Sequence, residues 1–315
     1  SNSFCTLLAL FVPMVRMQAA AAVIAIVGGL LLLLRRRWAT GGFRRISAEK
    51  LCVVTGASTG IGRAIALACA ARRCHIIITA RNTAALQDVA AACKERGAAS
   101  VQIVRADLTS DADRADLADA VASAPFPLDV VVLNAGRGGI TRFDASEQTT
   151  AIARELIDLN YIANVDLVRR LHGPICLHRA RLLVMSSGSG IMPVPHRAQY
   201  CASKFAVQGF FETLRMELAP KGVGVTIVCP SYVATEFHQK VLNVDGVAPP
   251  RQGHFMSADD CAERSVRAVE CGDRQLLLGS GLRVVNLLRP WFPAFIDSQI
   301  VRVASKSFKG RVDTS

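Results

Sequence analysis

LCVVTGASTGIGRAIALACAARR, residues 51–73, changes its pattern at a glycine turn, and that change decides the fold. The run Leu51–Thr55 is apolar up to its last residue, as a strand buried on both faces requires. Gly56, Gly60 and Gly62 follow, and the Ala-rich stretch from Ile61 to Arg72 carries a helical pattern. Glycines at such a junction let the chain turn sharply from strand into helix. Further strand-like runs recur at His75–Thr79, Val101–Arg105, Val130–Leu133, Arg181–Met185, Gly224–Val228 and Gln275–Leu278, with helical patterns between nearly all of them. Strands that alternate with helices of about ten residues or more pair in parallel through right-handed crossovers. The expected fold is therefore α/β, a doubly wound parallel sheet of about seven strands.

A chain of 315 residues accommodates one such domain with flanking segments. Its formal charge of +12 raises the question of nucleic acid, so the location of the charge matters. Residues 1–50 hold seven Lys/Arg against one Glu, and residues 281–315 hold six against two Asp, which leaves only +2 for the middle. Nucleic-acid binding needs cationic residues clustered on the folded domain, so it is not expected here. Basic flanks beside apolar segments point instead to anionic lipid headgroups. The ten cysteines show neither a CxxC pair nor a CxxC…HxxxH spacing, so no metal site is expected.

From Met17 to Leu34 the chain reads MQAAAAVIAIVGGLLLLL, eighteen residues without a charge, close to the length that crosses the hydrocarbon core as a helix. The run ends in Arg35, Arg36 and Arg37 without a small-residue cleavage site, which favours an N-terminal transmembrane anchor over a cleaved signal. Only Arg16 precedes it, whereas Arg44 and Arg45 add to the charge behind it, so the following domain is expected on the cytosolic side. The expected organisation is an anchor and basic linker over 1–47, the α/β domain over 48–280, and an apolar, basic tail over 281–315. Within that tail LRVVNLLRPWFPAF, residues 282–295, suits a membrane interface, a pocket cover or a dimer contact.

In a doubly wound sheet ligands bind beyond the carboxyl ends of the strands, where the strand order reverses. The turn Gly56, Ser58, Thr59, Gly60, Ile61, Gly62 lets backbone approach a pyrophosphate at a helix N-terminus. No Asp or Glu lies between Glu49 and Asp88 to accept from ribose hydroxyls, and Arg81 stands just past the second strand, suited to a 2′-phosphate. NADP is expected over NAD. Tyr200 and Lys204 lie four apart, on one helix face. A protonated Lys204 beside the phenol, with the positive charge of an oxidised nicotinamide, favours phenolate, so Tyr200 can exchange a proton with a carbonyl oxygen. Ser187, at the end of a strand, is placed to polarise that carbonyl.

The ordered set TGASTGIG at 55–62, Asp107-Leu108, Asn134-Ala135-Gly136, Asn160, Ser187, YCASK at 200–204 and Pro230 resembles the short-chain dehydrogenase/reductase family over about residues 48–280. The resemblance implies a Rossmann-type fold, an NAD(P) site and a tetrad. In that tetrad Tyr200 is the acid/base, Lys204 binds the nicotinamide ribose, Ser187 orients the carbonyl and Asn160 holds a proton-relay water. It also implies cofactor contacts at Pro230, Val233 and Thr235. Ser231 stands where the family usually has Gly, so the backbone beside the nicotinamide is expected to differ slightly.

The segment Glu236–Met256 falls where this family places its substrate lid, and Val241, Leu242, Val244, Val247 and Phe255 suggest a lipophilic substrate. An anchor, an apolar lid and an apolar tail together resemble the membrane-bound branch that includes the 11-beta-hydroxysteroid dehydrogenases and DHRS7-type reductases. That branch implies ketones or aldehydes on lipids, such as steroids, retinoids or acyl-dihydroxyacetone phosphate. It also implies an endoplasmic-reticulum membrane and a homodimer through the helices beginning near Asn160 and Tyr200. The alternative is a membrane-tethered nucleotide-binding scaffold that has lost catalysis, against which the intact Asn160, Ser187, Tyr200 and Lys204 argue.

Overall fold

The computed structural model describes residues 44–143, 148–243 and 255–307. Strand β1 (Leu51–Thr55) turns into α1 (Gly60–Ala70), followed by β2 (His75–Ala80), α2 (Thr83–Glu95), β3 (Ser100–Arg105), α3 (Asp111–Ala122) and β4 (Leu128–Leu133). Helix α4 (Thr149–Ile157) runs through a π-helical turn, Asp158–Ile162, into α5 (Ala163–Arg170), and α6 (His172–Leu177) leads to β5 (Arg181–Met185). The long α7 (Ala198–Leu218) precedes β6 (Gly224–Pro230). Two short strands, β7 (Val233–Ala234) and β8 (Met256–Ser257), pair in parallel before α8 (Ala258–Cys271). Strand β9 (Gln275–Leu278) and helices α9 (Ser280–Leu288) and α10 (Pro293–Ser307) follow.

Seven parallel strands form the sheet in the order β3-β2-β1-β4-β5-β6-β9. Every residue of β1, β4 and β5 is buried, because helices cover both faces of a parallel sheet. Alternation splits the strands between two cores. Cys52, Val54, Ile76, Ile78, Val130 and Val132 pack with α1, α2 and α8, whereas Leu51, Val53, Ile77, Val131 and Leu133 pack with α3, α5 and α7. Strand β3 lies at one edge, and its residues are exposed or half-buried accordingly.

Strand β4 begins at Leu128, two residues before the apolar run in the sequence, because Asp129 interrupts that run and is nevertheless buried. Its charge is met from elsewhere. Asp129 pairs with Arg44 at 3.1 Å and with Arg181 at 2.8 Å, and it accepts from the Ser47 amide at 3.3 Å. The Ile46 side chain is buried, and its amide donates to Glu270 Oε1 at 3.1 Å. Residues 44–47, read from sequence as linker, thus pack onto the domain. Beyond β9, in the segment read as a tail, Leu282, Ile296 and Ala304 are buried. The expected transmembrane helix Met17–Leu34 lies outside the described residues, and among the described residues no helix is long and apolar enough to cross a membrane.

Removing the Asp129 carboxylate leaves the buried Arg181 guanidinium without its counter-charge. Breaking one partner of a buried pair costs about 3–5 kcal/mol, so Asp129→Ala is expected to lose that much in equilibrium denaturation of the detergent-solubilised protein. A loss below about 1 kcal/mol, the size of an exposed pair, would show that the clamp contributes little.

Candidate active site

The sheet order reverses between β1 and β4, and the carboxyl ends of these two strands are tied together. Thr55 is wholly buried; its hydroxyl donates to the Val132 carbonyl at 3.0 Å and accepts from the Asn134 and Ala135 amides at 2.9 and 3.1 Å. The Asn134 amide group donates to the carbonyls of Thr55 and Gly56 at 2.9 and 3.2 Å, fixing the glycine turn. Gly56 has φ +62°, a left-handed conformation that suits glycine. A Cβ on Gly62 would stand 2.2 Å from the Gly56 carbonyl oxygen, so only glycine fits there.

Helices α2, α3 and α8 are capped by the side chains of Asn82, Ser110 and Ser257, but Thr59 at the start of α1 makes no such bond. No acidic residue occupies the first turn of α1. Free amides at a helix N-terminus beside a close-approach glycine turn fit a pyrophosphate. Arg81, largely exposed, faces Asp107 at 3.7 Å. Burial raises the Asp107 carboxyl, but the Thr109 amide and hydroxyl, with Arg81 and Arg105, outweigh it and hold the group below its ordinary range. The cradle and the basic residue past β2 therefore fit a nicotinamide dinucleotide.

Helix α7 brings Tyr200 and Lys204 to the same place. Both are at least nine-tenths buried, and Lys204 Nζ donates to the Met185 carbonyl at the end of β5 at 2.9 Å. Burial depresses the Lys204 ammonium from 10.5 to about 8. It pushes the Tyr200 phenol up, while the Ser187 hydroxyl and the Arg197 charge pull the other way. Ser187, in extended conformation after β5, also accepts from the Ser189 amide at 3.1 Å.

A cavity of about 870 Å³ opens at the carboxyl ends of the strands. Its wall contains every site residue named from the sequence except Asn160. Asn160 is wholly buried in the π-helical turn, where its side chain accepts from the Arg137 amide at 2.8 Å and donates to the Arg137 carbonyl and the Ser203 hydroxyl, each at 2.9 Å. Its own carbonyl accepts from Asn164 at 2.7 Å. Ser203 donates in turn to the Tyr200 carbonyl at 2.8 Å, so Asn160 braces the helix that carries the tyrosine.

The sequence did not single out several residues of the wall. Met192, Val194 and Arg197 come from the loop between Ser187 and Tyr200, and Tyr232 follows β6. Phe237, inside the segment read as a lid, stands with its ring 6.2 Å from that of Tyr200. Leu242 of the same segment is joined to the loop after β4 by bonds with Gly138 and Ile140 at 2.9 and 2.8 Å. Residues 244–254 of the lid lie outside the described residues. Leu282, counted in the tail, also lines the wall. The Ser231 amide donates to the Leu278 carbonyl at 2.9 Å, and the Ser231 Cβ lies 3.0 Å from the position a Cβ would take on Gly279.

A family profile described as short chain dehydrogenase matches residues 50–245. The chain is 32% identical over 266 residues to a dehydrogenase/reductase SDR family protein 7-like of Dictyostelium discoideum, covering 83% of this chain and 84% of that protein. It is 32% identical over 252 residues to hydroxysteroid 11-beta-dehydrogenase 1-like protein A of Xenopus laevis, covering 78% and 84%. Among solved structures, an alcohol dehydrogenase from the archaeon Thermococcus sibiricus, complexed with 5-hydroxy-NADP, superposes with a TM-score of 0.64 at 25% identity, covering 73% of this chain and 95% of that one.

The depressed Lys204 has a consequence for stability. Below pH 8 both folded and unfolded states hold its proton, and the fold bears the full cost of a buried charge. Between about 8 and 10.5 the folded state has released a proton that the unfolded state still binds, so stability rises with pH. The stability of the cofactor-free protein minus that of Lys204→Met is expected to climb between pH 8 and 10 by up to about 1.4 kcal/mol per pH unit. A flat difference in pH-dependent denaturation would mean that the ammonium is not depressed.

Proposed function

This chain belongs to the short-chain dehydrogenase family, and from that premise we propose that it is a membrane-anchored, NADP-preferring enzyme that interconverts a ketone or aldehyde and an alcohol on a lipophilic substrate, with Tyr200 as acid/base. Membership makes it an NAD(P)-dependent oxidoreductase acting on CH–OH groups. The observation that carries the finer reading is the meeting of Ser187, Tyr200 and Lys204 in the cavity that also contains the glycine turn.

The glycine turn and Arg81 would hold a reduced nicotinamide dinucleotide, which would supply the hydride. The chain's own residues manage the proton and the oxygen. Ser187 donates to the substrate carbonyl and polarises it, and Tyr200 gives its phenolic proton to the same oxygen as charge develops there. Lys204, when protonated, stabilises the resulting phenolate and holds the nicotinamide ribose. Asn160 fixes Arg137 and Ser203 around the tyrosine helix, and its carbonyl, already bonded to Asn164, retains a second lone pair for a relay water. Arg81 is the proposed partner of a 2′-phosphate.

Met192, Val194, Tyr232, Phe237 and Leu282 in the wall support a lipophilic substrate. We place the anchor at Met17–Leu34 in the endoplasmic-reticulum membrane, with the domain towards the cytosol. Leu287, Trp291, Phe292 and Phe295, all exposed around the turn between α9 and α10, would lie in the bilayer interface. A homodimer through α4–α5 and α7 would cover the exposed side chains of Ile162 and Phe205.

Tyr200→Phe is expected to lower kcat for carbonyl reduction by about 10²–10⁴-fold while NADPH affinity stays within about twofold, an energy change under 0.5 kcal/mol. Persistent turnover in the variant would remove Tyr200 from the mechanism. NADPH binding by the wild type without turnover of any steroid, retinoid or acyl-ketone offered would favour the scaffold reading.

Arg81→Ala is expected to weaken NADPH by about tenfold, as loss of a charge-assisted bond does, and to leave NADH nearly unchanged. Equal effects on both, measured by fluorescence titration, would move the 2′-phosphate contact elsewhere.

A further inference from the structure

Among the described residues five cationic side chains line the cavity, and four of them make a hydrogen bond or ion pair through the side chain. Arg81 faces Asp107, Arg137 pairs with Glu155, Lys240 pairs with Glu236, and Lys204 donates to the Met185 carbonyl. Arg197 is different. It is 6% exposed, and its Nε and Nη2 are buried without a hydrogen-bond partner. Only its backbone is engaged: its amide donates to the Val194 carbonyl at 3.2 Å and its carbonyl accepts from the Cys201 amide at 2.7 Å.

A guanidinium is always charged, and burying it without a counter-charge is strongly unfavourable. Among the described residues no carboxylate meets it, which leaves room for a partner from outside the chain. The backbone just before Arg197 is held in an uncommon conformation: His196 has φ +61°, and its carbonyl accepts from the Thr141 amide at 2.9 Å. Left-handed backbone at a non-glycine residue is costly and persists where surrounding contacts enforce it. Arg197 is thereby delivered to the start of α7, one helical turn before Tyr200, on the side of the wall that also holds Met192 and Val194. The glycine turn and Arg81 form a separate part of the wall, contributed by the elements after β1 and β2. The unpaired Gln199 side-chain oxygen nearby does not line the cavity and cannot serve the same purpose.

We infer that Arg197 is the recognition residue for an oxyanion on the substrate, a phosphate monoester or a carboxylate, carried within a few bonds of the carbonyl that Tyr200 serves. Its adjacent Nε and Nη2 groups carry almost no exposed surface, so the side chain would turn towards the cavity to meet such an oxyanion in bidentate geometry. One turn of helix separates the two residues, about 5 Å along the axis, which sets the short spacing between anion and carbonyl. The substrate class then narrows to amphiphiles: an apolar chain against Met192, Val194 and Phe237, with an anionic group beside the reacting carbon. This inference rests on the carbonyl-reductase reading for the role of Tyr200 but not for the binding of the anion, so the two can fail separately.

The test uses the NADPH-loaded full chain in neutral detergent, titrated calorimetrically with octyl phosphate, octanoate and octanol. Wild type is expected to bind at least one of the two anions more tightly than octanol, and the better anion identifies the oxyanion. Arg197→Met should weaken that anion by at least about 30-fold, the effect of truncating one partner of a buried charge pair, and leave octanol unchanged. Arg197→Lys should lose less, since it keeps the charge without the fork, and it replaces the Met variant if that one fails to fold. Equal binding of all three ligands by wild type, or an anion affinity indifferent to both substitutions, overturns the proposal. In turnover with NADPH, matched long-chain ketones with and without the anionic group should differ in KM, and Arg197→Met should erase that difference. Anion binding that depends on Arg197, alongside turnover that survives Tyr200→Phe, would reject the carbonyl mechanism and keep the anion site.

Discussion

The Thr55 hydroxyl and the Asn134 side chain together hold the point on which the rest of the site depends. With wholly buried Thr55 bonding to Val132, Asn134 and Ala135, the ends of β1 and β4 cannot slide past one another. Asn134 then fixes the Gly56 carbonyl, against which Gly62 packs too closely for any side chain. Because the Thr55 hydroxyl is wholly buried, losing its partners leaves an unsatisfied polar group in a low-dielectric interior, and the turn geometry is held by that penalty as much as by attraction. The amides of α1 point where they do because the turn is fixed, and the strand ends diverge there because the sheet order reverses.

Much of this was legible in the sequence, for definable reasons. Parallel strands covered on both faces must be largely apolar, so β1, β2 and β5 could be read almost to the residue, and the edge strand β9 showed as a short apolar run. Strand β4 was read short because Asp129 looks like a strand end until Arg44 and Arg181, distant in sequence, are seen to neutralise it. The same pairs explain why residues 44–47 belong to the body although their composition reads as linker. In the site, the i, i+4 spacing of Tyr200 and Lys204 is local and therefore visible. The burial of Arg197 is not: a basic residue in a polar stretch before a helix reads as solvated, and only packing shows otherwise. Leu242 was legible as an apolar member of a lid and Phe237 was not singled out; neither was legible as a neighbour of Tyr200, since that contact depends on how the segment after β6 folds back over α4 and α7.

The electrostatics of the cavity share one direction. Burial lowers the proton affinity of Lys204 and raises that of Tyr200, so both groups move towards their neutral forms in the cofactor-free protein. Below pH 8 the lysine still holds its proton beside a neutral tyrosine. Negative charge brought in with a dinucleotide, or with an oxyanion at Arg197, changes the field on the Lys204 side and favours its protonated form. Protonated Lys204 in turn favours the phenolate. Charge on a ligand in this cavity would therefore couple to the acid/base state of the two buried groups.

That coupling requires Tyr200 to stay put while charge around it changes, and the π-helical turn accounts for how it does. An ordinary α-helix through residues 158–162 would satisfy its own backbone at each step and present side chains at regular intervals. The wider turn adds a residue, and within it the Asn160 carbonyl takes a side-chain donor, Asn164, at 2.7 Å. The Asn160 side chain is left free to grip Arg137 on one side and Ser203 on the other. Ser203 lies between Tyr200 and Lys204 and donates to the Tyr200 carbonyl, so the grip acts on the first turn of α7, the same turn that carries the tyrosine. The loop after β4, the helix pair α4–α5 and α7 thus meet at one asparagine that does not touch the cavity. A residue that braces three elements from behind can hold the position of Tyr200 without itself lining the cavity.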